Sequence, residues 1–362
     1  MQIGCTKKLQ EQINLNVETI EEVDDIFSWS ANLVILNRRK TVVVVNDYSR
    51  YGFVLYGLKA KDFKNIENLL LQGIKRTLTG EKIKPELIEK YFEDAKKIKF
   101  TKTKSPRCVA RLNKACELVG WFREELDQNE IYQSSVTKRL NKDILKHNNE
   151  HRYSYELLQE SFKNLYGENI FQSECVDFVA KINLGENTVF RRIVAPLDMS
   201  FKQFHNMIQK LFNWKDYHLY DFTIIDNEDN IIERLSSNQL EDLGLEETSI
   251  DMKSKMPLRD YYKSNYKIIY TYDFGDNWEH EITIRDMKND YNKNYPVCLM
   301  GEGTAPPEDV GGVDGFEDFL RILSNPDDEE YESTIEWGLF QGYKEFDIDS
   351  INRNLKYDFI VY

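Results

Sequence analysis

The order of patterned segments in the second half of the chain most constrains its fold. Two runs with strand composition, CVDFVAKINL and TVFRRIVAP, are separated by Gly185-Glu186-Asn187, which predicts a hairpin. The segment SFKQFHNMIQKLFNW is amphipathic with Ser200 placed to cap a helix, and YHLYDFTII then has strand composition. Strand–turn–strand–helix–strand is the opening order of β-grasp folds. We therefore predict a C-terminal β-grasp-like α+β domain over residues 169–362.

The first half of the chain also mixes strand and helix patterns. QIGC predicts a short strand, and SANLVILNRRKTVVVVND predicts two strands joined by a polar turn. Helical spacing follows in KAKDFKNIENLLLQGIKRTL, in KPELIEKYFEDAKKI and in RCVARLNKACELVGWF. These patterns predict a mixed sheet-and-helix domain over residues 1–125. Residues 126–168 are polar with weak helical periodicity, and we interpret them as a helical connector.

Composition and the longest apolar runs restrict the class of protein and the compartment that we expect. With 41% hydrophobic residues among 362, the chain can bury hydrophobic cores. Its five cysteines are scattered without a C-x-x-C pair, which favours reduced thiols over a disulfide framework or a zinc cluster. The start has no apolar signal region, and the longest aliphatic runs, LVIL and VVVV, are far too short for a membrane span. We therefore expect a cytoplasmic protein with no membrane partner.

Charge is distributed unequally between the two halves. Residues 1–165 contain 29 Lys and Arg against 23 Asp and Glu, whereas residues 166–362 contain 19 against 39. Such a division indicates either two units with different partners or two units that attract each other. Nucleic acid would suit the basic half, and a protein partner would suit the acidic half.

The segment KKIKFTKTKSPRCVARLNK contains the strongest nucleic-acid signal in the chain. It has eight basic residues and no acidic one, and phosphate binding depends on clustered cations. The alternative is a solvated loop and helix end. The predicted nucleic-acid-binding residues are Lys96, Lys97, Lys99, Lys102, Lys104, Arg107, Arg111 and Lys114.

The stretch YTYDFGDNWEHEI predicts a second hairpin. With Asp276-Asn277 as the two turn residues, Asp273 would face His280 across the strands. Such a pair has two interpretations. It could satisfy polar groups within a sheet, or Asp273 and His280 could act as a catalytic acid–base pair.

The loop GEGTAPPEDVGGVDG is the most unusual connection. Its prolines stiffen the backbone, and its carboxylates stand beside glycines. It is either a rigid connector or part of a cation site. In the second case a hard divalent metal, the cofactor that a hydrolase would need, would be held by Asp273, Asp276, Glu308 and Asp309.

A second metal pattern occurs at HNNEH. His147 and His151 fit the H-x-x-E-H spacing of a zinc peptidase helix, which would place both rings on one helical face. The alternative is a polar connector segment, because no third ligand is evident nearby.

Three segments together resemble a known family: YTYDFGDNWEHEI, PVCLMGEGTAPPEDVGGVDGFEDFL and EWGLFQGYKEFDIDSINRNL. Residues 170–362 look like the plasmid pRiA4b ORF-3-like family, which also includes passenger proteins of insertion sequences with a resolvase-like label. The resemblance implies an α+β fold and a setting in plasmids and mobile elements, without an established reaction, and we find no serine- or tyrosine-recombinase constellation. CTKKL, FSWSANLVILNRRKTVVVVND and YGLKAKDF make the first 125 residues similar to a separate uncharacterised domain. The matching motif positions are Asp273, Phe274, Gly275, Asp276, Trp278, His280, Cys298, Gly301, Pro306, Pro307, Glu308, Asp309, Gly311 and Gly312.

Three functional hypotheses follow, and the sequence alone does not assign an enzymatic activity. The first is a nucleic-acid- or protein-interaction module in mobile-element biology. The second is a metal-dependent hydrolase, such as a phosphodiesterase or nuclease. The third is an acidic mimic of nucleic acid that inhibits an enzyme, because DDEEYESTIEW adds a dense acidic run.

Overall fold

In a computed structural model, the chain forms two compact units, Met1–Phe171 and Gln172–Val361. The structure describes residues 1–14, 17–167, 169–185, 187–236, 249–251, 259, 261 and 266–359, so Glu186 of the first predicted turn lies outside the described residues. Within those ranges, no helix combines the length and the apolar character needed to cross a membrane.

The first unit is built on a mixed sheet with the strand order β4-β3-β2-β1-β5. Strand β1 runs parallel to both of its neighbours, while the other pairs are antiparallel. The turn between β2 and β3 is Asn37-Arg38, and both residues have positive φ, as a tight hairpin turn requires. The strands are β1 (Gln2–Cys5), β2 (Ser28–Leu36), β3 (Arg39–Asn46), β4 (Gly52–Leu55), β5 (Lys99–Lys102), β6 (Ile144–His147) and β7 (Glu150–Tyr153).

Helices pack against this sheet, as the predicted mixed domain requires. Ser105 caps the longest of them by accepting a hydrogen bond from the Cys108 backbone N–H at 3.2 Å. The helices are α1 (Lys7–Ile13), α2 (Ala60–Lys64), α3 (Ile66–Gly80), α4 (Pro85–Asp94), α5 (Pro106–Trp121), α6 (Ser134–Asn141) and α7 (Ser154–Tyr166).

Residues 126–168 belong to the first unit instead of forming a separate connector. They contribute α6, the β6–β7 hairpin and α7. Val136 and Leu140 are buried against the valines of β3 and the apolar face of α5. The Phe162 ring of α7 stacks on Tyr91 of α4 at 5.3 Å between centroids. The helical periodicity of residues 126–168 is weak because tertiary packing, more than local sequence, stabilises α6 and α7.

The HNNEH segment is a hairpin, so the helical spacing predicted for it is wrong. Asn148 and Asn149 both have positive φ and form the turn between β6 and β7. His147 pairs with Glu150, and Lys146 pairs with His151. Because neighbouring residues of a strand point to opposite faces, His147 and His151 lie on opposite faces of this hairpin.

The second unit contains a larger sheet with the order β12-β11-β10-β13-β14-β8-β9-β15. The predicted order of strand, turn, strand, helix and strand is present in its first four elements, and the α+β class is confirmed. The helices and strands of the second unit are β8 (Ser173–Leu184), β9 (Asn187–Pro196), α8 (Phe201–Phe212), β10 (Tyr220–Ile225), β11 (Ile231–Ser236), β12 (Ser249–Asp251), β13 (Lys267–Tyr272), β14 (Trp278–Tyr291), β15 (Val297–Glu302), α9 (Gly312–Leu323), α10 (Tyr331–Phe340) and α11 (Ile348–Asp358).

Helix α8 supplies the centre of the second hydrophobic core. Ser200 accepts a hydrogen bond from the Gln203 backbone N–H, and the Gln203 side chain accepts one from Ser200 N–H. Phe204, Ile208 and Leu211 are fully buried against the sheet. Burial of each such side chain contributes about 1.5–3 kcal/mol.

Arg191 of β9 is buried in this core, and no carboxylate among the described residues forms an ion pair with it. Its guanidinium donates hydrogen bonds to the carbonyl oxygens of Leu211, Phe190, Glu302 and Gly303 at 2.7–3.1 Å. Burial lowers its pKa to about 10. The side chain therefore joins the end of α8 to the end of β15, where the proline-containing loop begins.

Candidate functional site

Two antiparallel strands bring the first two site residues together. Tyr220, at the start of β10, pairs with Tyr272, at the end of β13. The Asp273 backbone N–H donates to Leu219 O at 3.0 Å, which extends this ladder by one step. His218 and Asp273 therefore leave the same edge of the sheet side by side.

The turn after β13 is longer than the predicted two residues. Asp273 has positive φ, and its Oδ1 accepts hydrogen bonds from the backbone N–H groups of Gly275 and Asp276 at 2.9 and 3.4 Å. The Asn277 N–H donates to Asp273 O at 2.6 Å and closes the turn. An Asx-type turn of this kind holds the Asp273 carboxylate at the tip of the hairpin.

This turn changes the register of the hairpin, so the predicted pairing of Asp273 with His280 is wrong. Tyr272 pairs with Trp278, and Tyr270 pairs with His280. The predicted and observed registers differ by three residues. Because an odd shift exchanges the two faces of a strand, the tyrosines share the buried face with Trp278 and His280.

His280 lies inside the core and has no exposed surface. Its Nδ1 lies 3.3 Å from Tyr270 O and 3.1 Å from Trp278 O, so this nitrogen carries the hydrogen and donates. Its Nε2 has no hydrogen-bond partner among the described residues. Burial among the rings of Phe212 and Trp214 lowers the pKa of His280 to about 3. The predicted catalytic role of His280 and Asp273 stays a prediction.

The proline-containing loop folds over the same edge of the sheet. Trp214 Nε1 donates to Pro306 O at 2.9 Å, and the Lys215 backbone N–H donates to Glu308 Oε1 at 2.7 Å. From the other side, the Gly311 N–H donates to Asp276 Oδ2 at 3.1 Å. The hairpin turn and this loop therefore meet, with the segment after α8 as the third element.

Glu308 is the most enclosed carboxyl of the loop. It is buried, and the Tyr272 hydroxyl donates to it at 3.0 Å from Oε1 and 3.2 Å from Oε2. Burial raises the pKa of Glu308, while the Lys215 N–H and the Tyr272 hydroxyl oppose the shift. Burial and the nearby Glu308 charge raise the pKa of Tyr272.

His218 stands at the centre of the carboxylates. Its Nε2 lies 3.0 Å from Asp309 Oδ1, 3.6 Å from Asp273 Oδ2 and 3.8 Å from Glu308 Oε2. This nitrogen is buried, yet it makes no hydrogen bond in the described part of the chain, so the short contact with Asp309 lacks hydrogen-bond geometry. Ligand atoms held roughly 2.0–2.2 Å from one ion lie about 3–4 Å apart. The ring nitrogen and the oxygens of Asp273 and Asp309 lie within 4.8 Å of one another, which suits a common divalent ion.

The backbone is unusual at both aspartates of this cluster. Asp273 and Asp309 have φ values of 55° and 60°, in the left-handed region. Non-glycine residues are uncommon there, although aspartate and asparagine tolerate it best, and such outliers concentrate at functional sites. The local backbone therefore directs two carboxylates towards His218.

The sequence anticipated part of this cluster and missed its histidine. Of the predicted metal residues, Asp273 and Asp309 lie with His218, and Glu308 lies beside them. Asp276 instead accepts the Gly311 N–H. The strand predicted over YHLYDFTII includes His218, whereas β10 begins at Tyr220, so His218 lies just outside the strand. One sequence feature could have indicated His218 as a site residue: it lies just before a strand that neighbours the hairpin.

The predicted nucleic-acid-binding residues lie on β5, on α5 and in the segments that precede these two elements. Lys96 and Lys97 precede β5, and Lys102 is exposed on that strand. Two others are paired, Lys99 with Glu21 and Lys104 with Asp25, each at 2.5 Å. Arg107, Arg111 and Lys114 lie on α5. Carboxylates therefore interrupt the run of basic side chains at Lys99 and Lys104, and the nucleic-acid-binding role of the eight residues stays a prediction.

The fold and this cluster define an α+β chain of two units, the second of which carries an imidazole surrounded by carboxylates. A family model described as plasmid pRiA4b ORF-3-like protein matches residues 174–355, about half of the chain. The chain therefore belongs to the plasmid pRiA4b ORF-3-like family. Residues 2–157 match a domain of unknown function, DUF6933.

Two similar proteins are described as uncharacterised or as of unknown function. The uncharacterized protein y4hQ of Sinorhizobium fredii is 32% identical over 152 residues, covering 42% of this chain and 74% of y4hQ. A solved structure, the protein of unknown function MM3350 from Methanosarcina mazei Go1, is 29% identical and has a TM-score of 0.42. That match covers 49% of this chain and 97% of MM3350.

Proposed function

We propose that the second unit is a divalent-metal-dependent hydrolase whose ion is held by His218, Asp273 and Asp309. The observation that carries the proposal is the buried His218 Nε2, which faces carboxylate oxygens at 3.0–3.8 Å and makes no hydrogen bond to any described residue. One imidazole and two carboxylates form a donor set that Zn²⁺ and Mn²⁺ accept.

The arrangement suits a catalytic ion better than a structural one. Structural zinc sites use four protein ligands, whereas catalytic sites use three and leave a position for water. The Asp309 side chain is 48% exposed, so the cluster is open to solvent on that side. A bound divalent ion would generate a nucleophilic hydroxide and polarise a substrate oxygen. Glu308 Oε2, at 3.8 Å from His218 Nε2, places a proton acceptor beside the proposed ion.

Metal binding is the first test. We expect chelator-treated, untagged protein to bind one Zn²⁺ or Mn²⁺ per chain in calorimetric titrations. His218→Gln and Asp309→Asn should each weaken binding at least tenfold, and asparagine at 309 keeps a residue that tolerates positive φ. His151→Gln and Asp318→Asn, both at exposed positions, are the matched controls. Wild-type protein that binds neither ion at 100-fold molar excess would rule out the proposal.

Hydrolysis is the second test. The family name refers to a plasmid, so phosphodiesters are the first substrates to examine, with bis(p-nitrophenyl) phosphate and DNA compared against p-nitrophenyl acetate. We expect turnover that needs the metal and that Glu308→Gln lowers at least 100-fold while metal binding is kept. Metal binding without turnover of any of these substrates would leave a metal-binding protein and remove the phosphodiesterase assignment.

The interaction-module hypothesis has a different basis. It rests on the basic side chains of the first unit, where Lys99 and Lys104 are already paired with carboxylates. The acidic-mimic hypothesis rests on the exposed carboxylates around α10, including Glu329, Glu332 and Glu336. Neither the basic set nor the acidic set encloses a cluster of candidate ligand atoms like the one around His218. Both hypotheses therefore stay secondary proposals.

A further inference from the structure

The first unit contains a cavity of about 310 Å³ between α5, α6, β3 and the strand β6. Valine, alanine and leucine side chains form much of its wall. Four cationic side chains and one carboxylate also line it: Arg50, Arg107, Arg111, Lys114 and Asp143. Cavities that bind small ligands combine apolar walls with a few charged groups in this way, and this volume is at the small end of their range.

The positive charge is concentrated by the geometry of α5. Arg107, Arg111 and Lys114 are spaced so that they share one helical face, and Arg50 joins them from the connection between β3 and β4. Burial lowers the pKa values of Arg50 and Arg111, and the neighbouring arginines lower them further. Four cations therefore line one cavity, of which Arg50 and Arg111 are half-buried and Arg107 and Lys114 are exposed.

Carboxylates within the unit neutralise only part of this charge. Lys114 lies 3.4 Å from Asp143. Arg111 donates to Asp47 O at 2.5 Å, and Arg50 donates to Lys146 O at 2.9 Å, but carbonyl oxygens carry no net charge. Arg50 Nε is buried without a hydrogen-bond partner, and Arg107 makes no ion pair, within the described residues. The cavity lining thus has four cationic side chains against one carboxylate, and Asp47 is a further carboxylate acting on Arg111 from outside the lining.

We propose that this cavity binds a phosphate monoester that carries an apolar or aromatic group, such as a nucleoside 5′-monophosphate. A phosphate monoester has a charge of about −1.5 to −2 at neutral pH, which suits several cations better than a single carboxylate would. Arginine binds phosphate through paired N–H donors. The internal phosphates of a nucleic acid have one charge each and are best met by a continuous basic tract, which the pairing of Lys99 and Lys104 interrupts.

The test compares matched ligands by calorimetry on the full chain. EDTA is present so that the proposed metal centre does not contribute. Adenosine 5′-monophosphate and phenyl phosphate should bind one per chain, adenosine should not bind, and inorganic phosphate should bind at least tenfold more weakly than either ester. Arg107→Gln, at an exposed position, and Arg111→Gln should each weaken binding of the monophosphate at least tenfold. Lys102→Gln, also exposed in this unit but outside the cavity, should leave it unchanged.

A single-stranded oligonucleotide with and without a 5′-phosphate separates the two phosphate sources. Tighter binding of the phosphorylated strand supports the proposal, because only a terminal phosphate is a monoester. Equal binding of both strands, weakened as much by Lys102→Gln as by Arg107→Gln, would overturn it in favour of nucleic-acid binding along the surface. Folded protein, confirmed by circular dichroism, that binds no monoester at millimolar concentration would also overturn it.

Discussion

Acid should destabilise the second unit through His280. The ring is fully buried, and burial lowers its pKa to about 3 from an ordinary value of 6.5. Between these values the unfolded chain binds a proton that the folded unit does not bind. The neutral ring therefore makes its full contribution to the free energy of unfolding above about pH 6.5. This contribution decreases as the pH falls towards 3.

The size of this effect follows from the same two pKa values. Within the window, each pH unit costs about 1.4 kcal/mol of unfolding free energy. A change from pH 7.5 to pH 5.0 ends roughly 1.5 units below the unfolded pKa, so His280 alone costs about 2 kcal/mol. That cost corresponds to a decrease of roughly 30-fold in the folding equilibrium constant.

The assay compares wild-type protein with His280→Leu in urea titrations at pH 7.5 and pH 5.0. Pulsed hydrogen exchange with mass spectrometry reports the second unit through peptides of β14. All other ionisable groups are common to both proteins, so the difference between the pH responses of the two proteins isolates His280. We expect the variant to lose about 2 kcal/mol less than wild type on acidification. The His151→Gln variant, changed at an exposed position of the first unit, controls for removal of a histidine.

Equal acid sensitivity of wild type and His280→Leu would refute this reasoning. It would mean that the ring binds a proton while the unit is folded, which requires a partner for Nε2 or access to water.

Three further predictions concern stability and can be measured by the same urea titrations. Ser200→Ala should destabilise the second unit by about 1 kcal/mol because the cap of α8 is lost, and Ser200→Asp should restore most of the loss. Gly73→Ala should destabilise the first unit by about 1–3 kcal/mol because its Cβ would lie 2.2 Å from the Phe53 ring. Gly120→Ala, in helix α5 with open space around the new Cβ, should stabilise that unit by about 0.4–1 kcal/mol, and destabilisation there would contradict the packing argument.

Much of the fold was accessible from the sequence because local patterns and tertiary packing agree. Asn37-Arg38 is a tight turn between two β-branched runs, and Ser200 begins an amphipathic helix whose apolar face is the buried one. The sequence patterns were weaker where a helix or strand is stabilised mainly by tertiary packing. Residues 126–168 form helices and a hairpin because the first unit covers their apolar side chains.

The candidate site was only half predictable for a different reason. The turn after β13 is set by the Asp273 side chain and by the contact of Asp276 with Gly311, which is 35 residues away in sequence. No local pattern contains that contact, and the turn decides which face of the hairpin is buried. His218 was missed because its neighbours come from two distant segments, and only the assembled sheet edge brings them together.

The buried Arg191 has a consequence for how the second unit tolerates change over generations. Its four acceptors are main-chain oxygens, at Phe190, Leu211, Glu302 and Gly303, which every amino acid supplies. Replacing Glu302, which is exposed, leaves its carbonyl oxygen as an acceptor, whereas replacing the arginine abolishes all four bonds at once. In a saturation mutagenesis library selected for folding, position 191 should accept almost nothing, while Glu302 should accept many residues. The hydrogen bonds that join the end of α8 to the end of β15 therefore depend on one side chain, that of Arg191.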